Sequence, residues 1–163
     1  MLFRSSYDQN RVITGIAGRK GYSVIIIEKD MMNSEIGFGR RVLEVFEEND
    51  ISFEHLPSGV DTMSVVVETK QIDDIRDRLL NRIQRMVRPD SISIEDGLAL
   101  IAVVGRGMVK TKGTAARVFD AISDADINIK MIDQGSSELN IIVGVEESDF
   151  ENAMQAIYDE FVG

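Results

Sequence analysis

The chain has 163 residues, with 28 acids against 18 bases for a formal charge of −10, no cysteine and a single histidine. The acid excess argues against nucleic acid, whose phosphates are bound by clustered Lys and Arg, and the lack of cysteine excludes disulfides and thiol chemistry. No apolar stretch approaches the 18 residues of a membrane span and Met1–Ser6 lacks a signal-peptide core, so a cytoplasmic protein without a membrane partner is expected.

In chain order, Arg11-Val12-Ile13-Thr14-Gly15-Ile16-Ala17 is an apolar segment, and the β-branched run Ile25-Ile26-Ile27 predicts a buried strand over Tyr22–Glu28. After Gly37, Phe38, Val42, Leu43 and Phe46 share one helix face that ends near Asn49-Asp50. Ile51–Leu56 and Thr62–Thr69 read as the strands of a hairpin turned by Pro57-Ser58-Gly59. Ile72, Ile75, Leu79, Ile83 and Met86 keep helical spacing to Val87, where Pro89 stops it. Ser91–Glu95 is a short strand and Leu98–Val104 the most apolar one. A helix is predicted from Gly113 to about Ala125, then a hairpin of Ile127–Asp133 and Glu138–Val145. Phe150, Ala153, Met154, Ile157 and Phe161 mark a last helix.

Shifted by 76 residues, the chain lies on itself without a gap. Met32 falls on Met108, Gly37 on Gly113, Arg41-Val42 on Arg117-Val118, Asp50-Ile51 on Asp126-Ile127 and Val67 on Val143. Two copies are too few for a solenoid. Each is read as a βαββαβ module, the split pattern of ferredoxin-like α+β folds. The second copy ends one strand short, and the economical reading fills that vacancy with the apolar segment near the N-terminus. The first module is then inserted into the second; an extra edge strand on the first sheet is the alternative. Modules of roughly 75 residues bury a limited core, so close packing or dimerisation is expected.

Catalytic constellations are thin. His55 sits in a predicted strand without Ser/His/Asp or metal-ligand spacing. Gly105–Thr114 loosely suggests a phosphate loop but lacks the closing Gly-Lys-Ser/Thr. The basic run Arg82–Arg88 reads as a solvated helix face, and the methionines mostly as apolar filler. The bend Met31-Met32-Asn33-Ser34-Glu35-Ile36-Gly37-Phe38-Gly39 is different. Amides around Gly37–Gly39 at a helix start suit a carboxylate, and glycine lets a ligand come close to the backbone. An amino acid's ammonium also needs an acid, and Glu54 on the next strand can supply it. The plainer alternative is that Gly37 only permits the turn. Lys130 occupies the matching place in the second copy, so a cationic amino acid suits the first bend alone.

Several of these segments together resemble the regulatory end of monofunctional aspartate kinases. They are Val12–Ala17, Gly37-Phe38, Ile51–Glu54, Val104–Met108, Gly113–Phe119, Ile127-Asn128-Ile129 and Gln134–Glu138, and the resemblance covers nearly the whole chain. It implies two ferredoxin-like ACT modules, the first inserted into the second. Residues 1–10 would be a linker from a kinase domain, 11–20 a strand completing the second ACT domain, 21–96 the first and 97–163 the second. The parent enzyme would phosphorylate the side-chain carboxylate of aspartate with ATP and magnesium, while these residues would carry no catalytic group, metal or cofactor. Implied effector contacts are Met31 or Met32, Ser34, Gly37, Phe38, Gly39, Phe53 and Glu54, with Asn128 and Ile129 serving a second effector. The pattern departs at Ile36, an extra residue before Gly37, and at Glu54, where aspartate is usual. The function implied is feedback sensing of lysine, alternatively threonine, by a homodimer joined through its ACT domains. The competing reading is a ligand-free dimerisation module of the same fold.

Overall fold

The computed structural model describes residues 2–4, 13–105, 112–134 and 140–162. Its elements are β1 (Leu2–Arg4), β2 (Gly15–Glu28), α1 (Phe38–Glu48), β3 (Thr62–Glu68), α2 (Arg76–Val87) and β4 (Ser91–Val104). These are followed by α3 (Thr114–Asp124), β5 (Ile129–Asp133), β6 (Asn140–Glu146) and α4 (Phe150–Phe161). The fold is α+β with antiparallel pairing. The chain divides into two compact units, one of residues 1–20 and 98–163, the other of residues 21–97.

In the 21–97 unit, β2 pairs antiparallel with β3 from Tyr22 opposite Glu68 to Glu28 opposite Thr62. Alternation along β2 sends Ile25 and Ile27 into a core with Val65 and Val67 of β3. Two helices cover that face. Phe38, Val42, Val45 and Phe46 of α1, and Leu79, Ile83 and Val87 of α2, repeat at helical spacing and are buried there. α1 ends in a Schellman turn with Asp50 in the left-handed region (φ 55°). Asp50 N–H donates to Glu47 O and Ile51 N–H to Phe46 O. The buried Ser23 hydroxyl donates to Asp96 Oδ1 at 2.5 Å and lies 2.7 Å from Thr69 Oγ1. Arg76 grips both oxygens of Asp96 and also reaches Asp73. The arginine and the serine together hold the Asp96 carboxyl below its ordinary range.

The other unit repeats the plan with its own residues. β4 pairs antiparallel with β6, Leu98 opposite Glu146 to Val104 opposite Asn140, and β5 pairs with the far side of β6. Residues 15–17 of β2 pair with β1, and Thr14 N–H donates to Val104 O at 2.7 Å. Ile13 and Ile16 therefore enter the same core as Ile101, Val103, Val118, Ile122, Ile141 and Val143. α4 lies close against Gly18. A Cβ placed there would stand 2.7 Å from Phe150 Cζ and 2.9 Å from Met154 Sδ, both buried side chains. Gly18→Ala should destabilise the protein by about 1–3 kcal/mol through overpacking, read as a lowered denaturant midpoint at unchanged slope. An unchanged midpoint would mean that the Phe150 ring swings aside at no cost.

Three sequence expectations give way. Ile51–Leu56 is not a regular strand: isolated bridges, His55 to Val66 and, just beyond, Ser58 to Met63, join this part of the chain to β3. The Gln71 amide takes the Ser52 backbone instead, accepting from its N–H and donating to its carbonyl, each at 3.0 Å. The short strands expected on either side of Gly21 and Gly97 run together into β2 and β4, each 14 residues long. The repeat also has gaps. α1 and α3 match at 76 residues, each entered by a left-handed glycine, Gly37 (φ 83°) or Gly113 (φ 82°). The paired strands β3 and β6 match at 78, and α2 and α4 at 74. The second copy has a longer hairpin and lacks the Ile72–Ile75 turn that precedes α2.

Candidate functional site

The bend between β2 and α1 is built by hydrogen bonds to two other segments of its own unit. Lys29 N–H donates to Asp61 O at 2.9 Å and Asn33 N–H to Val60 O at 3.1 Å, fixing the bend to the turn before β3. The Asp61 carboxylate accepts from Met31 N–H at 3.1 Å, and Asp90 Oδ2 accepts from Asp30 N–H at 2.7 Å. Met31 adopts the left-handed conformation (φ 61°), uncommon for a side chain with a Cβ, and Ser34 Oγ donates back to its carbonyl at 2.8 Å. A single 3₁₀ turn, Met32–Ser34, follows.

One carboxylate closes the bend. Glu35 Oε1 accepts from Lys29 Nζ at 2.8 Å and Oε2 from Arg41 Nη2 at 2.7 Å. Lys29 Nζ also donates to Val87 O at 2.7 Å and lies 5.6 Å from the centre of the Phe38 ring, while Arg41 Nη1 reaches Ile36 O. The hydrogen bond from Lys29, with the charges of Lys29 and Arg41, holds the Glu35 carboxyl below the usual carboxylate range against the opposing effect of desolvation. A carboxyl depressed in the folded state stabilises that state above its unfolded pKa of about 4.3, and the contribution is lost as pH falls through the folded value. Stability should therefore decline less steeply in Glu35→Gln than in the parent on acidification below about pH 4. Identical acid limbs in parallel denaturant titrations would show that the clamp adds no stability.

The predicted contacts separate by accessibility. Met31 is 62% exposed, whereas Met32 is 8% exposed and packs in the core, so Met31 is the methionine that a ligand can reach. The Phe38 ring is buried and its amide donates to Glu35 O at 3.2 Å. The amides of Gly37 and Gly39 have no backbone acceptor among the described residues. Ile36 is 96% exposed, and left-handed Gly37 after it opens α1. Ser34 is exposed. Phe53 is 44% exposed, and Glu54 is exposed with its own N–H donating to Val66 O at 2.8 Å. Asn128 is exposed, and half-buried Ile129 opens β5 opposite Val145. Most of the loose phosphate-loop match, residues 106–111, and the turn at 135–139 lie outside the described residues. No group of three metal-ligating side chains occurs among those described.

Lys29, Glu35, Arg41 and Asp61 were missing from the sequence reading. Their signal is weak, because residues six apart across a bend follow neither the helical nor the strand period.

Comparison with known proteins points to one family. Residues 101–161 match the ACT domain model. Aspartokinase 3 of Bacillus subtilis is 44% identical over 153 residues, which is 93% of this chain and 34% of that protein. The crystal structure of Clostridium acetobutylicum aspartate kinase superposes with a TM-score of 0.89 at 52% identity, over 91% of this chain and 34% of that one. The chain is similar to the regulatory ACT region of aspartate kinases. It spans about a third of the length of these relatives. Two more distant structures share the fold of this ACT region. The regulatory subunit of aspartate kinase from Thermus flavus has a TM-score of 0.78 at 20% identity, over 91% of this chain and 98% of its own. E. coli aspartokinase III in complex with lysine and aspartate also scores 0.78, at 22% identity, over 96% of this chain and 35% of its own. Within the ACT region the two copies differ in charge: Lys130 pairs with Glu146 at 3.1 Å, where the first copy has Glu54.

Proposed function

We propose that the ACT region senses an amino-acid end product for an aspartate kinase, with lysine as its first ligand and threonine as the alternative. Two ACT modules would carry this out, residues 21–96 forming one inserted into the other, which comprises 11–20 and 97–163. The division of the chain into units of 21–97 and of 1–20 with 98–163 supports that arrangement. The effector carboxylate would take the Gly37 and Gly39 amides, and its side-chain ammonium would take Glu54. Met31, Ser34 and Phe53 would line the ligand, and Asn128 with Ile129 would serve a second effector. The observation that carries the choice of lysine is Glu54. Its exposed carboxylate has neither hydrogen bond nor ion pair among the described residues. The lysine complex of E. coli aspartokinase III, a protein of the same fold, supports the same ligand.

Two copies would join through these modules in a C2 dimer, which presents the site twice. Lysine would then favour one arrangement of the modules and disfavour the active form of an attached kinase domain, by its differential affinity for the two. Such linkage typically amounts to about 1–3 kcal/mol. Calorimetric titration of the 163-residue chain with lysine, threonine and methionine, beside sedimentation to establish the dimer, tests the reading. Saturable heat with lysine is expected. A folded dimer silent to all three would leave the ligand-free dimerisation module, which exposed Ile36 and Val60, 96% and 63% accessible, favour.

A further inference from the structure

Lys29 and Arg41 bring two cations to the bend whose free glycine amides already suit an anion. Left bare, that combination would hold any carboxylate, and a dicarboxylate better than a lysine. Glu35 changes this. Its two oxygens take one cation each, at 2.8 and 2.7 Å, and all three side chains lie only partly exposed, at 22% for Lys29, 28% for Arg41 and 35% for Glu35. Further donors are engaged by backbone carbonyls, Lys29 Nζ by Val87 O and Arg41 Nη1 by Ile36 O. The nearby cation Arg40 faces Glu44 at 3.5 Å.

We propose that Glu35 is a specificity-determining residue of the bend, a built-in carboxylate that halves the positive charge of Lys29 and Arg41 and so shifts the preference of the bend from an anionic toward a cationic amino acid. The inference rests on the reading of the bend as an amino-acid site. It deepens that reading by naming what disfavours aspartate and glutamate, the amino acids whose charge would otherwise fit best. Two cations and one partly exposed carboxylate leave the clamp with about one positive charge instead of two, and opposite charges a few ångströms apart screen one another from a ligand. The second copy cannot do the same. Gly105 and Thr111 stand where Lys29 and Glu35 would fall, and Arg117 instead bonds Glu160 at 2.8 Å.

The test titrates the 163-residue chain with lysine and with glutamate, as parent, Glu35→Gln and Arg41→Gln. Glutamine keeps the shape of Glu35 and removes its charge. Glu35→Gln should weaken lysine at least fivefold and strengthen glutamate at least fivefold, because both cations are released. Arg41→Gln should move the ratio the other way, at least twofold toward lysine, since the clamp then falls from a net charge of about +1 to neutral, with Lys29 still paired to Glu35. A lysine-to-glutamate ratio within twofold of the parent in both variants overturns the assignment while leaving the sensing function intact. If the parent binds neither amino acid, the sensing function fails by itself. Glutamate binding gained by Glu35→Gln would still support the quenching role, and its absence would end it. Should Glu35→Gln not fold, the direction seen in Arg41→Gln decides alone.

Discussion

Glu54→Ala should weaken lysine binding by about ten- to a hundredfold, the worth of one hydrogen bond to a charged group at about 1.5–3 kcal/mol. Threonine has no second amine, so its binding should change less than threefold. The contrast between the two ligands is the informative readout, and calorimetry on parent and variant supplies it. Equal losses for both would move Glu54 out of amine recognition and into support of the backbone. Stability should stay within about 0.5 kcal/mol of the parent, as for surface changes away from special features. Glu54 is exposed, and among the described residues only its backbone N–H is engaged, with Val66 O.

Phe46→Ala is expected to cost about 3–5 kcal/mol, the range for removing a buried aromatic ring. Phe46 is 1% exposed, on the face of α1 that meets the core of the 21–97 unit. Stability of a domain is only about 5–15 kcal/mol in total, so the variant should sit close to unfolding. The same helix begins at Gly37, so lysine binding should weaken in step as the folded fraction falls. Denaturant titration gives the first number and calorimetry the second. A loss under 1 kcal/mol would show that the neighbouring side chains collapse into the space.

The helices were legible because their apolar residues recur on one face. Phe38, Val42 and Phe46 in α1, and Leu79 and Ile83 in α2, are buried as spacing requires. Some left-handed residues follow the repeat. Gly37 with Gly113, and Asp50 with Asp126, recur 76 residues apart with φ within a few degrees of one another. The stretch after α1 was less legible. Ile51–Leu56 carries a strand-like apolar pattern, yet a side chain 19 residues further on, Gln71, competes for its backbone. A local pattern cannot register such a competitor. The offset of the repeat failed similarly, because Val65-Val66-Val67 and Ile141-Ile142-Val143 look alike at more than one register. Only the pairing of Tyr22 with Glu68 and of Leu98 with Glu146 fixes it.

The candidate site divides along the same line. The sequence by itself determined the glycine bend, the acid at Glu54 and the inequality of the two copies, since these depend on residue type and on comparison along one chain. Tertiary structure alone left Met31 exposed and Met32 buried, because burial depends on which neighbour turns toward the core. It alone joined Lys29, Glu35 and Arg41 into one clamp, and set Gly18 against Phe150 and Met154. Charge pairing and close approach act through space over a few ångströms, and a bend brings together atoms whose order in the chain carries no period to betray them.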